Sequence, residues 1–290
     1  MNDVPPRLSA IIPSFNTAEL TLACLQSILA KHWRFALELI VVDNASADGS
    51  PTRIAERFPN VRLIQLPRNL GYGAACNAAA AQATGDFLLF LNSDTEVQEG
   101  ALDALLRTFG EFPEAAAVAC HEVAPTGETV MGCRSHHTLR SAISFLSGYR
   151  LFCREGNRCR IVDWDRRSDR WVDNVTGFAW AIRHEMFDKL GGFDERLFLY
   201  CEEEDMALRL RQLDGRIRYV AAARIVHLGA RSSRDLGHLG RRKRWLRSFV
   251  YLREKHGHSV SPVLDYLVLY PFLLLWWLGS RAKKTTRTPR

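Results

Sequence analysis

Leu37-Glu-Leu-Ile-Val-Val-Asp-Asn-Ala-Ser-Ala-Asp-Gly-Ser50 decides the fold. Leu37 to Val42 is apolar apart from Glu38, ends in β-branched residues, and is short enough for a strand. A near-continuous apolar run marks a strand covered on both faces, as in a parallel sheet. It stops at Asp43, where Asp, Asn, Ser and Gly supply a turn. The plan recurs on both sides. Leu8-Ser-Ala-Ile-Ile-Pro13 is a strand, Val61-Arg-Leu-Ile-Gln-Leu66 another, and Asp86-Phe-Leu-Leu-Phe-Leu91 a fourth that runs into Asn92-Ser-Asp94. Between them, helical spacing predicts helices over 18–32, with Leu22, Leu25, Ile28 and Leu29 on one face, over 52–58 and over 73–84. Strands alternating with helices imply a Rossmann-like, mostly parallel sheet with right-handed crossovers and flanking helices. Ligands of such sheets bind at the carboxyl ends of the strands. Three polar clusters fall there: Pro13 to Asn16, Asp43 to Asp48, and Asn92 to Asp94.

Farther along, 101–109 is helical and Ala115 to Cys120 a strand, with loops after it. Trp171 to Ile182 is strand-like around Gly177, and Ile217 to Ala222 leads into Ile225-Val-His-Leu228. Between these lies Phe198-Leu-Tyr-Cys-Glu-Glu-Glu-Asp-Met-Ala-Leu-Arg-Leu-Arg211, with four successive carboxylates, Glu202 to Asp205. Acidic residues suit the positive end of a helix dipole, and Asp205 can pair with Arg209 one turn later. Held in a cleft instead, such a cluster raises at least one pKa and supplies a general base. The acidic and glycine-rich motifs upstream favour the cleft.

The chain has 290 residues, 47% of them hydrophobic, enough for one large α/β domain or two halves sharing a sheet. Its net charge of +7 is concentrated in Arg231 to Lys255 and the last ten residues. Such an excess suits an anionic membrane or a phosphorylated substrate. No basic run interleaves with aromatics as in a single-strand binder, which speaks against nucleic acid. Seven cysteines without a CxxC pair fit reduced thiols, and the spacing of Cys120, His121, Cys133, His136 and His137 fits no common zinc site. Met1 to Arg7 is polar, and no signal peptide is expected. The tail changes character. Arg241 to Lys255 forms a basic amphipathic helix, followed by apolar Val263 to Leu278, with Trp276 and Trp277 near its end and Arg281-Ala-Lys-Lys284 behind. A full span needs roughly 20 apolar residues. Asp265 and Pro271 interrupt this shorter stretch, so an interfacial or re-entrant anchor is expected, against a core helix or dimer contact. The expected divisions are 1–100, 101–235 and 236–290.

Six motifs in order, Ala10-Ile-Ile-Pro-Ser-Phe-Asn16, Val41-Val-Asp-Asn-Ala-Ser-Ala-Asp-Gly-Ser50, Arg68-Asn-Leu-Gly-Tyr-Gly-Ala-Ala-Cys-Asn77, Leu91-Asn-Ser-Asp-Thr-Glu96, Gly191-Gly-Phe-Asp-Glu195 and Leu199-Tyr-Cys-Glu-Glu-Glu-Asp205, carry a resemblance. The chain resembles the family 2 inverting glycosyltransferases, nearest the rhamnosyltransferase-like branch, over about residues 8 to 235. The resemblance implies a GT-A fold, a nucleotide-sugar donor and a divalent metal, Mg²⁺ or Mn²⁺. Residues 1–100 would form the nucleotide-sugar half, 101–235 the acceptor and catalytic half, and 236–290 a helical membrane-associating tail.

Within that resemblance, Asp43 accepts from the imino N–H of uracil or thymine, or else caps its own turn. Asp48 is left structural. Gly71 and Gly73 let backbone approach a ligand, and Asn69 and Asn77 fix the loop or the nucleotide. Pro13, Asn16 and Ser93 complete the nucleotide side. Asp94 takes the place of the metal-binding aspartate of a DxD motif, and Asn92 stands where the first aspartate would be. Asn92 suits a ribose hydroxyl, with one anionic metal ligand fewer. His227 resembles the later metal ligand, or is a structural histidine after a strand. Arg231 suits the diphosphate as a planar cation. Glu203 holds the position of the family's catalytic base, with Glu202 and Glu204 as runners-up. Thr176, Gly177 and Trp180 resemble the acceptor-side wall, though the Trp180 ring either stacks on a sugar or packs in the core.

The expectation is an inverting glycosyltransferase, peripheral on the cytoplasmic face of the plasma membrane. It would move a sugar such as L-rhamnose, from a dTDP- or UDP-linked donor, to a growing glycan or a polyprenyl-diphosphate-linked acceptor. A homo-oligomer through the apolar tail is compatible with this. The competing classes are a non-catalytic glycan- or nucleotide-binding module and a sugar-phosphate nucleotidyltransferase. The latter normally carries a basic glycine-rich loop near its N-terminus, and Ile11 to Thr17 has neither glycine nor lysine.

Overall fold

In the computed structural model, residues 6–130, 133, 136–147, 164–229 and 237–285 are described. The apolar runs become strands that alternate with helices: β1 (Arg7–Ser14), α1 (Ala18–Leu29), β2 (Ala36–Asp43), α2 (Ser50–Arg57), β3 (Arg62–Gln65), α3 (Tyr72–Ala80) and β4 (Phe87–Leu91). β1 pairs in parallel with β2 and β4, and β2 with β3, giving the order β3-β2-β1-β4. Leu8, Ile11, Ile12, Ile40 and Val41 are buried because helices cover both faces. Leu22, Leu25 and Ile28 of α1 face the core as expected, but Leu29 is 47% exposed, at the frayed last turn. Asp48 starts two helices: its carboxylate accepts from Ala18 N (2.8 Å) at α1 and from Ser50 N (3.1 Å) at α2.

The second half extends the same sheet. It contributes β5 (Thr95–Val97), α4 (Ala101–Glu111), β6 (Ala115–Val123), α5 (Leu139–Ser147), β7 (Arg170–Val172), β8 (Ala179–Arg183), α6 (His184–Lys189), α7 (Glu202–Gln212) and β9 (Arg216–His227). The sheet continues β4-β8-β6-β9-β5, with β7 on β9. The single strand-like stretch expected over 171–182 is in fact two strands, separated by a loop that carries Asn174 to Gly177. β8 runs antiparallel to β4 and β6, and β6 is parallel to β9. The carboxyl ends of β1, β2, β4, β6 and β9 therefore share one edge, and the amino end of β8 joins them.

α8 (Gly237–Lys255) and α9 (Pro262–Thr285) close the described chain. Trp245, Phe249, Leu269 and Leu273 form a core with Ala142 and Leu146 of α5 and with Leu197 and Cys201 ahead of α7. α8 is thus part of the folded body. α9 is one helix, with Pro271 inside it, and Arg253 of α8 pairs with Asp265 at 2.9 Å. The stretch Pro262–Ser280 is long and apolar enough to cross a membrane, where a shorter interrupted segment was expected. Val263, Leu264, Leu267, Leu275 and Leu278 are exposed.

Candidate active site

Asp43 ends β2 with its side chain buried. One carboxylate oxygen accepts Ser46 N at 3.0 Å, and Oδ1 is buried without a hydrogen-bond partner among the described residues. A buried anionic oxygen left open is costly unless a ligand donates to it. Around it the turn is rigid. Asn16, at φ 51°, donates its N–H to Ser46 Oγ and accepts from Ala47 N at 2.8 Å. Asn44 donates to Gly71 O (3.1 Å) and accepts from Leu70 N (2.8 Å), fastening the glycine loop beside Asp43. Within that loop Asn69 accepts from Gly71 N at 3.0 Å. Pro13 lies half-buried in β1 opposite Val42.

Gly71 has φ +92°, and a Cβ there would stand 2.3 Å from the carbonyl oxygen of Phe198. Tyr72 N donates to the same oxygen at 2.9 Å. The glycine loop is therefore packed, backbone to backbone, on the segment that leads into α7. Asn77 serves the fold: its amide accepts from Phe193 N (2.8 Å) and donates to Phe193 O and Glu195 (3.0 Å each).

After β4, the Asn92 side chain is half-buried and has no hydrogen-bond partner among the described residues, while Ser93 turns inward onto Thr17 Oγ1 at 3.0 Å. Asp94 is buried, and its Oδ1 faces His227 Nε2 at 3.3 Å. That nitrogen is buried and lacks an aligned hydrogen-bond partner among the described residues. The other ring nitrogen, Nδ1, lies 2.7 Å from Glu122 Oε1, and the ring stacks on Phe178. Burial opposes a charge on His227, yet Asp94 and Glu122 outweigh it and hold its pKa up at about 9. A carboxylate on the far nitrogen of an imidazole that faces a second carboxylate is the arrangement of a metal ligand and its orienting partner. Among the described residues no group of three or more His, Cys, Asp or Glu forms a closed cage. The Asp94–His227 pair fits an ion that takes its remaining ligands from a phosphorylated substrate.

α7 begins beyond two consecutive left-handed non-glycine residues, Tyr200 (φ 76°) and Cys201 (φ 71°), a conformation that costs free energy and gathers at functional sites. It separates the four carboxylates. Asp205, wholly buried, pairs with Arg209 (2.8 Å), as expected, and with Lys255 (2.6 Å) and His256 (2.9 Å) from the end of α8. Glu204 is buried against His136 and His137; despite burial, those contacts bring its pKa down to about 2. Glu202 is buried, its Oε1 without a hydrogen-bond partner among the described residues, and burial together with Glu203 drives its pKa well up. Only Glu203 reaches partial exposure, beside Gly177, where a Cβ would meet its carboxyl carbon at 3.4 Å.

Thr176 and Gly177 are half-buried at this opening. Trp180 is not at it: the indole is 1% exposed between Phe90 and Phe193. Of the two positions open to that ring, it takes the core, because β8 points alternate side chains into the sheet's covered face and offers no surface to a sugar. Arg231 lies outside the described residues.

Residues 9–191 match the family model described as Glycosyl transferase family 2. The chain belongs to glycosyl transferase family 2. It is therefore a glycosyltransferase, as expected. The matched region carries Asp43, the glycine loop, Asp94 and Glu122, and ends before α7 and His227. The chain is 29% identical over 235 residues to an N-acetylglucosaminyl-diphospho-decaprenol L-rhamnosyltransferase of Mycobacterium tuberculosis, covering 76% of each protein. Among solved structures it resembles the Pyrobaculum calidifontis mannosyltransferase PcManGT in complex with GDP-Man and Mn²⁺, with TM-score 0.60, 19% identity, and 99% of this chain and 77% of that one covered. It also resembles S. aureus TarS 1–349 in complex with UDP-GlcNAc, with TM-score 0.57, 18% identity, and 92% and 71% covered. The chain shares their GT-A fold.

Two residues of this glycosyltransferase site escape the sequence reading, and His137 is met there only in a spacing that fits no zinc site. Asn44 sits inside the decisive motif, and its role emerges only when the glycine loop is seen against it. Glu122 bears a recognisable sign, a lone carboxylate at the polar end of an apolar strand, the same sign that marks Asp43. His137 meets Glu204 from 67 residues away, through a loop with no periodicity to betray it.

Proposed function

We propose that the chain is an inverting glycosyltransferase that moves L-rhamnose from dTDP-rhamnose to a lipid-diphosphate-linked sugar at the cytoplasmic face of a membrane. The observation that carries the catalytic part is the sorting of the four carboxylates. Glu204 and Asp205 are paired with histidines and cations, and burial disfavours the charged form of Glu202. Glu203 is the one partly exposed member of the four, its carboxyl beside Gly177. Inversion needs a single in-line attack, with a carboxylate taking the acceptor hydroxyl's proton, and Glu203 is the member placed at the opening to do so. Asp43 Oδ1 accepts the imino N–H of the pyrimidine base, and Asn92 offers its amide to a ribose hydroxyl. Asp94 and His227 hold the divalent ion, Mg²⁺ or Mn²⁺, with Glu122 fixing the imidazole. When bound, that ion offsets the charge that develops on the departing nucleoside diphosphate.

The donor and acceptor are supported by the mycobacterial relative, whose name specifies rhamnosyl transfer to a sugar on a diphospho-lipid. The membrane is supported by α9, which exposes a series of leucines and is fastened to the basic helix α8. Changing Leu267, Leu275 and Leu278 to lysine should release the protein from vesicles while donor binding persists. Transfer is tested with purified protein, dTDP-rhamnose and a synthetic GlcNAc-diphospho-lipid in detergent, the product anomer being read by NMR. Inverted product is expected, faster than with UDP- or GDP-sugars. Nucleotide binding without transfer to any acceptor would establish the non-catalytic module instead, and pyrophosphate release from a nucleoside triphosphate would establish the nucleotidyltransferase.

A further inference from the structure

A cavity of about 620 Å³ opens between α8 and the segment that enters α7. Its walls include Arg196, Phe198, Lys243, Arg244, Arg247 and Tyr251, and no carboxylate lines it among the described residues. Arg196 is paired with Asp194. Lys243, Arg244 and Arg247 have no carboxylate within ion-pair distance among the described residues. They stand three and four positions apart, on one face of α8, where like charges repel. Gly240, one turn earlier, brings no side chain to shield them. The Arg244 guanidinium lies over the Phe198 ring, 4.3 Å from its centroid, so the fork is oriented while its N–H groups stay available. Convergent, oriented cations around a concavity are suited to an anion carrying more than one charge.

The neighbours of the cavity narrow the choice of anion. Phe198 forms its inner wall, and the same residue's carbonyl holds Tyr72 and crowds Gly71. Ser248 of α8 donates to Leu199 O at 3.0 Å, so this stretch of α8 is fastened to the backbone that positions Glu202 and Glu203. α9 packs on α8, with Arg253 paired to Asp265 and Arg242 over the Trp276 ring, and it exposes Leu267 and Tyr270. A polyanion seated here would have an apolar helix face on one side and the strand-end opening on the other. We propose that this cavity binds the diphosphate of a lipid-linked acceptor, the lipid chain running along α9 and the acceptor sugar reaching toward Glu203. This rests on the reading of the chain as a transferase with a lipid-linked acceptor. A membrane phospholipid offers similar phosphate chemistry. The acceptor is favoured because the cavity is built on the segment that carries the catalytic carboxylates.

The test uses the full chain in detergent, its donor site saturated with dTDP and Mg²⁺, titrated with farnesyl diphosphate, farnesyl monophosphate and farnesol. The diphosphate should bind most tightly, and R244Q/R247Q should weaken it roughly 10- to 100-fold, about tenfold per lost cation. R244K/R247K should restore part of the loss, and K243Q/R247Q, at two exposed positions, serves if the first pair fails to fold. In the transfer assay the glutamine variants should raise the KM for a GlcNAc-diphospho-lipid and leave the donor KM unchanged. Unaltered diphosphate binding and acceptor KM in folded glutamine variants would overturn the cavity while leaving the acceptor reading intact. Wild-type indifference to whether the acceptor carries phosphate would overturn the acceptor reading itself. A loss seen only on vesicles rich in phosphatidylglycerol, and not in detergent, would assign the cations to membrane headgroups and overturn the proposal.

Discussion

Gly71→Ala tests the contact that joins the two halves of the site. The new methyl would be placed 2.3 Å from Phe198 O and 2.9 Å from Phe198 Cα, both backbone atoms with no rotamer to escape by. Gly71 also has φ 92° and ψ 176°, a region essentially reserved for glycine. The backbone strain costs about 1–3 kcal/mol. The Tyr72 N to Phe198 O bond, lost when the two backbones part, adds about 1 kcal/mol. The sum, ~2–4 kcal/mol, corresponds to a fall in Tm of roughly 3–7 °C for a chain of this size. Phe198 lies just ahead of the left-handed pair Tyr200 and Cys201, so the displacement is passed to Glu203. A misplacement of ~1 Å at a reacting group costs about 100-fold in rate. Scanning fluorimetry measures the first effect, and turnover at saturating donor and acceptor the second. Gly110→Ala is the control: inside α4, with nothing within 4 Å of its Cβ, it should stabilise by about 0.5–1 kcal/mol. A Gly71→Ala protein with parental Tm and parental turnover would refute the coupling of the loop to α7.

Two further predictions concern the flanks of the site. Glu122→Gln keeps the shape of the His227 partner and removes its charge, so Mn²⁺ affinity measured by calorimetry with the donor nucleotide present should fall roughly 10- to 100-fold, with donor binding in chelator unchanged. The Glu204 pKa is depressed from 4.5 to about 2, so this group contributes stability above pH 4.5 and loses it as the pH falls through about 2. The contribution is roughly 3 kcal/mol at neutral pH. His137→Ala should therefore destabilise the protein most near neutrality, with the gap to the parent closing in acid denaturation at the bottom of that window.

The parallel half of the fold is legible because each strand is apolar on both faces and stops at a turn: Leu39 to Val42 cannot be placed otherwise, and Asp43 follows as its end. The second half is harder to read. Residues 171–182 carry two short strands in different pairings, and a loop between them has no period to reveal it. The carboxylate run shows where charge collects, but not which member faces the opening. That is settled by His136 and His137, by Lys255 and His256, and by Gly177, all distant in sequence. Ser93 and Asn77 are polar at the right motif positions, yet their side chains are bound within the fold, and only coordinates distinguish a polar group held inward from one offered to a ligand. The α9 helix reads as shorter in the sequence because Asp265 and Pro271 look like interruptions; Asp265 is paired with Arg253, and Pro271 sits within the helix.

The central claim, that Glu203 is the base of an inverting transfer, is tested most directly by Glu203→Gln, assayed for dTDP-sugar binding and for transfer, with Glu202→Gln in parallel. Donor affinity should stay within about twofold while turnover falls roughly 100-fold or more, and the rate should lose the pH dependence set by the base. Full turnover in Glu203→Gln, with the loss appearing in Glu202→Gln instead, would contradict the account.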